Sequence, residues 1–177
     1  MAIYYGDGTQ SNGDSDGGRI VQVQQSVMNG TASFYGNINN DFTSITSLET
    51  SITAHDSNNK ILINVQSFGF MNGRYFGYRI TRDNTNIVLG NTGGGTRLSG
   101  MVYSNSDISY AAYTISPTSF QFLDSPGDTN SHTYKMKFNN CNTGNQIITI
   151  NKLNQSGTSP WNLRTASTMT LMEIAFS

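Results

Sequence analysis

Apolar side chains along this chain recur at every second position, in short runs broken by Gly, Asn, Asp and Ser. The clearest run is 60–68, where Ile61, Ile63 and Val65 face one way and Asn64 and Gln66 the other. The run 132–138 repeats the pattern. There Tyr134, Met136 and Phe138 alternate with Lys135 and Lys137, which predicts a sheet with one wet face. Further strands are predicted at 20–25, 32–35, 42–54, 75–81, 87–89, 108–115, 119–123, 146–151 and 168–176. No stretch of helical period competes, and no heptad, triplet or fixed repeat is present. Many short strands separated by turn residues predict an all-β protein, an antiparallel β-sandwich of jelly-roll type.

The run 168–176 differs from the others because both parities are apolar. Met169, Leu171 and Ala175 lie on one side, Met172, Ile174 and Phe176 on the other. A strand covered on both faces is either central to the sandwich or packed against another subunit. Met172, Ile174 and Phe176 are therefore the candidate subunit-interface residues. Met172→Asp is expected to break the oligomer, and an oligomer of native mass from that variant would count against the assignment.

Residues 1–18 precede the sandwich domain, 19–177. They comprise an apolar start, Ile3, Tyr4 and Tyr5, followed by a Gly/Asp/Ser-rich stretch without periodicity, and are expected to form an irregular arm. Asn, Ser and Thr make up roughly a third of the chain, well above the usual share. Only 12% of residues are charged and the net charge is -1, so the basic face of a nucleic-acid binder is not expected. No apolar run approaches a membrane span and no signal peptide is evident, so no membrane partner is expected either. Cys141 is the single cysteine, which excludes an intrachain disulfide and a zinc-ligand spacing.

Catalytic patterns are incomplete. Gly13-Asp14-Ser15 resembles the nucleophile block of GDS-type esterases. The accompanying Asp-x-x-His is replaced by Asp128 and His132, one residue too far apart, and no α/β sheet is predicted to carry the serine. Asp14-Ser15-Asp16-Gly17 opens like a calcium loop, but its twelfth position is Gln25 and its sixth is not glycine. His55 sits at a turn, and His132 shares the parity of Tyr134 and Met136 as a core-edge residue. Two distant histidines do not make a metal site. Asp124 and Asp128, around Pro126-Gly127, read as turn chemistry rather than as a glycosidase pair. No enzyme, cofactor or metal is expected.

Five blocks, in order, resemble a family of structural proteins of marine tailed phages, the virion or tail-fibre-like proteins. They are Gly18-Arg19-Ile20-Val21-Gln22-Val23; Ser57-Asn58-Asn59-Lys60-Ile61-Leu62-Ile63-Asn64-Val65; Phe122-Leu123-Asp124-Ser125-Pro126; Thr133-Tyr134-Lys135-Met136; and Arg164-Thr165-Ala166-Ser167-Thr168-Met169-Thr170-Leu171-Met172-Glu173-Ile174. Together they span about residues 18–176. The resemblance implies a virion location and a homotrimeric jelly roll similar to those of the complement and tumour-necrosis-factor type. It carries no active site.

On that footing the first expectation is a capsid decoration or cement protein, because an arm of about 18 residues leaves no room for a fibre shaft. Ile3, Tyr4 and Tyr5 would attach it to the major capsid protein or to tail proteins. The alternative is a tail-fibre or adsorption knob touching host surface glycans. Tyr103, Tyr110, Tyr113 and Trp161 are its candidate stacking residues, and the loops 93–95 and 154–160 its contact surface.

Overall fold

The computed structural model describes residues 3–4, 10–11, 18–36, 42–71, 75–90, 100, 102–105, 115–140, 146–153, 162 and 164–175. Thirteen strands and no helix occur among them: β1 (Ile3–Tyr4), β2 (Gln10–Ser11), β3 (Arg19–Met28), β4 (Ala32–Gly36), β5 (Thr43–Thr53), β6 (Lys60–Met71), β7 (Tyr75–Arg82), β8 (Thr85–Asn86), β9 (Val102–Asn105), β10 (Ser116–Asp124), β11 (Ser131–Asn140), β12 (Gln146–Ile150) and β13 (Ser167–Ala175). Every pairing is antiparallel.

Two sheets carry the core. Setting aside the short β4, β8 and β12, the first has the order β3-β13-β6-β10 and the second β5-β11-β7-β9. Strands successive along the chain mostly alternate between the two sheets, so the chain wraps as a jelly roll, the architecture expected from the sequence. The facing stripes interlock. Ile61, Ile63, Val65, Met169 and Leu171 from the first sheet meet Phe76, Tyr78, Ile80, Tyr134, Met136 and Phe138 from the second, all essentially inaccessible to water. Burying each such side chain contributes roughly 1.5–3 kcal/mol, so this layer is the main term holding the sheets together. Both stripes anticipated from alternation, 61/63/65 and 134/136/138, lie in it.

Three local features depart from the sequence expectation. The strand anticipated at 87–89 is displaced to Thr85–Asn86. Asp83 and Asn84, with φ of 49° and 69°, form a two-residue turn that closes the β7–β8 hairpin as soon as β7 ends. The strand β9 at Val102–Asn105 was not anticipated, while most of the expected run 108–115 lies outside the described residues. In the N-terminal stretch Ile3 and Tyr4 pair with Ser11 and Gln10, a short ladder inside the segment expected to be irregular.

Asn151 joins the two halves of the first sheet. The long strand β6 pairs with β13 along Lys60–Gln66 and with β12 along Gly69–Met71, so β13 and β12 follow one another along one edge. Their outer neighbours, β3 and β4, are likewise separated only by residues 29–31. At this break Asn151, fully buried and at φ 61°, donates from Nδ2 to the carbonyls of Met28 (2.7 Å) and Gly30 (3.0 Å). Its Oδ1 accepts from the Ser167 hydroxyl at 2.6 Å, and its backbone N–H donates to Phe68 O at 2.8 Å. Asparagine suits the position because it tolerates the left-handed region and carries both donor and acceptor.

Candidate assembly surface

The outer face of the β3-β13-β6-β10 sheet can be read row by row from the strand registers. Val23 on β3 lies opposite Met172 on β13, Met172 opposite Leu62 on β6, and Leu62 opposite Leu123 on β10. These four form one apolar row across all four strands. The next row is Gln25, Thr170, Asn64 and Gln121, and the one beyond is Val27, Thr168, Gln66 and Ser119. On the other side lies Ile20, Ile174 and Lys60.

Four of the large hydrophobic side chains most open to solvent stand on this face: Ile20 (51% exposed), Val23 (53%), Val27 (47%) and Leu123 (39%). Met172 and Leu62 between them are half-buried. On a chain whose surface is otherwise rich in Asn, Ser and Thr, a continuous apolar band marks a contact surface more than scattered exposed residues would. Of the candidate interface residues, Met172 lies at the centre of the band, and Ile174 is on the same face but buried beside Ile20 and Lys60. Phe176 is outside the described residues. The inner apolar side of β13, Met169 and Leu171, packs in the core between the sheets, while its outer side, with Met172, belongs to the band.

Behind the band, on the inner side of β13, lies a buried polar peg that alternation alone did not single out. Glu173 continues the inward stripe Ser167, Met169 and Leu171 and is completely buried. Its Oε1 accepts from the His55 backbone N–H (2.7 Å) and Asn59 Nδ2 (2.6 Å). Its Oε2 accepts from Gln22 Nε2 (2.6 Å) and from the His55 ring at Nδ1 (2.7 Å). Burial alone would raise the carboxyl pKa. The hydrogen bonds from Asn59, His55 and Gln22 outweigh it and bring the value down from 4.5 to about 2. Gln22 also donates to Thr53 O at 2.6 Å, so the peg ties β3, β13 and the β5–β6 turn together. Beside it β3 carries one extra residue, Val21: Gln22 pairs with Glu173 but Ile20 with Ile174. That bulge re-aims Ile20 onto the outer face.

A second polar group bridges the two sheets, from β10 in the first to β7 and β11 in the second. Asp124, expected in a turn, is instead the buried last residue of β10, and its Oδ2 accepts from Arg82 (2.6 Å) and the Tyr134 hydroxyl (2.7 Å). Burial, and then Asp124, raise the Tyr134 phenol well above its ordinary value. His132 is buried at the start of β11, as its parity implied, with Nδ1 2.6 Å from Asp83 and Nε2 3.0 Å from Asp128. The hydrogen bond with His132 holds Asp83 below the usual carboxylate range. Asp128, which accepts the Asn130 backbone N–H in an Asx turn, is lowered chiefly by that bond. Asp124 and Asp128 thus serve different partners, and the geometry holds each in a structural role. Among the described residues no group of three or more His, Cys, Asp or Glu could hold a metal ion.

Gly13-Asp14-Ser15, Cys141, Tyr5, Tyr110, Tyr113, Trp161 and the loops 93–95 and 154–160 lie outside the described residues. Ile3, Tyr4 and Tyr103 are placed by backbone only, in β1 and β9.

Residues from the five family-like blocks come together in the fold. Gln22 from the first, Asn59 from the second and Glu173 from the last meet in the buried peg, while Asp124 and Tyr134 from the third and fourth meet in the other group. No protein-family model matches the chain, and no curated protein sequence does. Among solved structures it aligns with infectious bursal disease virus Gt strain at TM-score 0.40 and 14% identity, covering 99% of this chain and 43% of that one. It also aligns with the VP2 subviral particle of infectious bursal disease virus at TM-score 0.36 and 9% identity, covering 89% of this chain and 39% of that one. The chain spans less than half the length of either of these two chains.

Proposed function

We propose that this chain is a non-enzymatic structural protein of a virion, a jelly-roll domain that acts by packing against its neighbours. The observation behind this reading is the convergence of the five phage-like blocks on two buried polar groups. The segments that resemble the phage structural family are those that pin the sheets of the jelly roll, an architecture recurrent in viral capsids. Fold supports this only by analogy, so the function rests on the surface the fold presents. That surface is a sheet face with an apolar band, suited to protein contact rather than to small-molecule chemistry.

Within a virion the reading is a capsid decoration protein, held to the shell by its N-terminal segment. Gly18 N–H donates to Ala175 O at 2.8 Å, which ties the end of that segment to β13. Deleting residues 2–17 is expected to abolish binding to particles while leaving the melting temperature of the sandwich unchanged. Truncated protein that still co-sediments with particles would rule out attachment through Ile3, Tyr4 and Tyr5. The second reading is an adsorption knob at the tail, with host glycans as ligands.

Immunogold electron microscopy on intact phage, with antibody raised to the purified chain, separates the two. Label over the head supports decoration and label at the tail supports adsorption. Unlabelled particles would refute the virion role altogether.

A further inference from the structure

We infer that the outer face of the β3-β13-β6-β10 sheet is covered by the same face of a second copy of this chain. The two copies would be related by a two-fold axis running along the strands between β13 and β6. The inference rests on the reading of the chain as an assembling structural protein and names the partner that its open face fits.

The rows dictate the symmetry. An axis parallel to the strands, midway across the four, exchanges β13 with β6 and β3 with β10 while keeping each row at its own height. Val23 then stacks on the partner's Leu123, and Met172 on the partner's Leu62, so the apolar row covers itself. Gln25 stacks on the partner's Gln121 and Thr170 on the partner's Asn64, so the amide row also covers itself. Side-chain amides both donate and accept, so one amide row can satisfy its own copy. Aligned packing of this kind keeps the strands of the two faces within about 30°.

Charge points the same way. Lys60, at one end of β6, is the only ionisable side chain in these four rows, and no carboxylate stands among them. A partner chosen by ion pairing would find almost nothing to pair with, whereas a second copy meets no like charge at the centre. Under the proposed axis Lys60 lies over the partner's Ile174 at the rim, where its stem can cover apolar surface and its head reach water. A three-fold axis gathers edges and leaves most of a flat face open, so a two-fold pair covers the band better than the trimer implied by the family resemblance.

Size sets the strength. Four strands at ~4.8 Å spacing and eight residue steps of ~3.3 Å along β6 give a plan area of ~500 Å². That is at the small end for a specific interface, so the pair is expected to be concentration-dependent rather than permanent.

The test is sedimentation velocity of the full chain over a concentration series. Native protein should move from monomer to dimer. Val23→Asp and Leu123→Lys, both at exposed positions, should each weaken pairing by roughly 100-fold or more, because a buried unpaired charge is introduced. Mixing the two variants should restore dimer, since the axis places the substituted position 23 of one chain over the substituted position 123 of the other. Native protein that stays monomeric at its highest soluble concentration, a trimeric mass, or a mixture that stays monomeric would each overturn the proposal. If either variant lacks the native circular dichroism melt, the swapped pair Val23→Lys and Leu123→Asp carries the same test. A monomer found together with labelled particles would discard the pair and keep the virion role. A dimer with unlabelled particles would do the reverse.

Discussion

Replacing Glu173 with Gln is expected to lower stability by about 3 kcal/mol, a fall of roughly 6–12 °C in melting temperature for a domain of this size. The carboxylate is fully buried and its oxygens accept from four donors: two from His55, one from Asn59 and one from Gln22. Glutamine turns one acceptor into a donor, so at least one of these groups meets an N–H and loses its partner inside the protein. The larger cost is the buried polar group left unpaired rather than the bond itself.

The same substitution should remove a pH dependence whose sign follows from linkage. Glu173 is held at about 2, below its ordinary value of 4.5. A carboxyl with a depressed folded pKa contributes stability above its unfolded value, and that contribution is lost as pH falls through the interval down to its folded value. Melting curves of native protein and Glu173→Gln should therefore lie far apart at neutral pH and converge between pH 4.5 and about 2. Curves that stay parallel through that interval would show that Glu173 is not the group responsible.

Asn151→Ala is the second change with a large expected cost, about 3–4 kcal/mol in chemical denaturation. The carbonyls of Met28 and Gly30 and the hydroxyl of Ser167 lose their contact with the side chain at a buried junction. Alanine is also forced into the left-handed region at φ 61°, which asparagine tolerates better. Asn151→Gly separates the two terms, since it relieves the backbone while still leaving the polar groups unpaired. It should recover only the backbone part, on the order of 1 kcal/mol. Equal stabilities for the two variants would place the whole cost in the lost hydrogen bonds.

The sequence by itself determined the class of the fold and the parts of the core built on regular strands. In β6 and β11 the pleat is uninterrupted, so Ile61, Ile63 and Val65, and Tyr134, Met136 and Phe138, could be placed inward from alternation alone. Where the ladder is irregular, that logic stops. Between Lys135 and Lys137 the partner strand β5 advances from Glu49 to Ser44, and its buried residues Ile45, Leu48 and Ile52 no longer keep a period of two. Glu173 was hidden for a related reason. A charged residue on the inward parity of an apolar strand looks like an exception to the stripe, and only the fold brings Gln22, His55 and Asn59 to it across more than 100 positions of sequence.

The candidate surface divides in the same way. Met172 could be picked out from the doubly apolar pattern of its own strand. Its neighbours in the row, Val23, Leu62 and Leu123, belong to strands brought together by the jelly-roll wrap, and their alignment is fixed by register. Local pattern decides which face of a strand a residue occupies, because side chains alternate along every pleated chain. Which residues of distant strands share that face is decided by long-range pairing, and a shift of one position would turn every side chain over. The strands and their inward stripes were therefore determined by the sequence, and the apolar band by the tertiary structure.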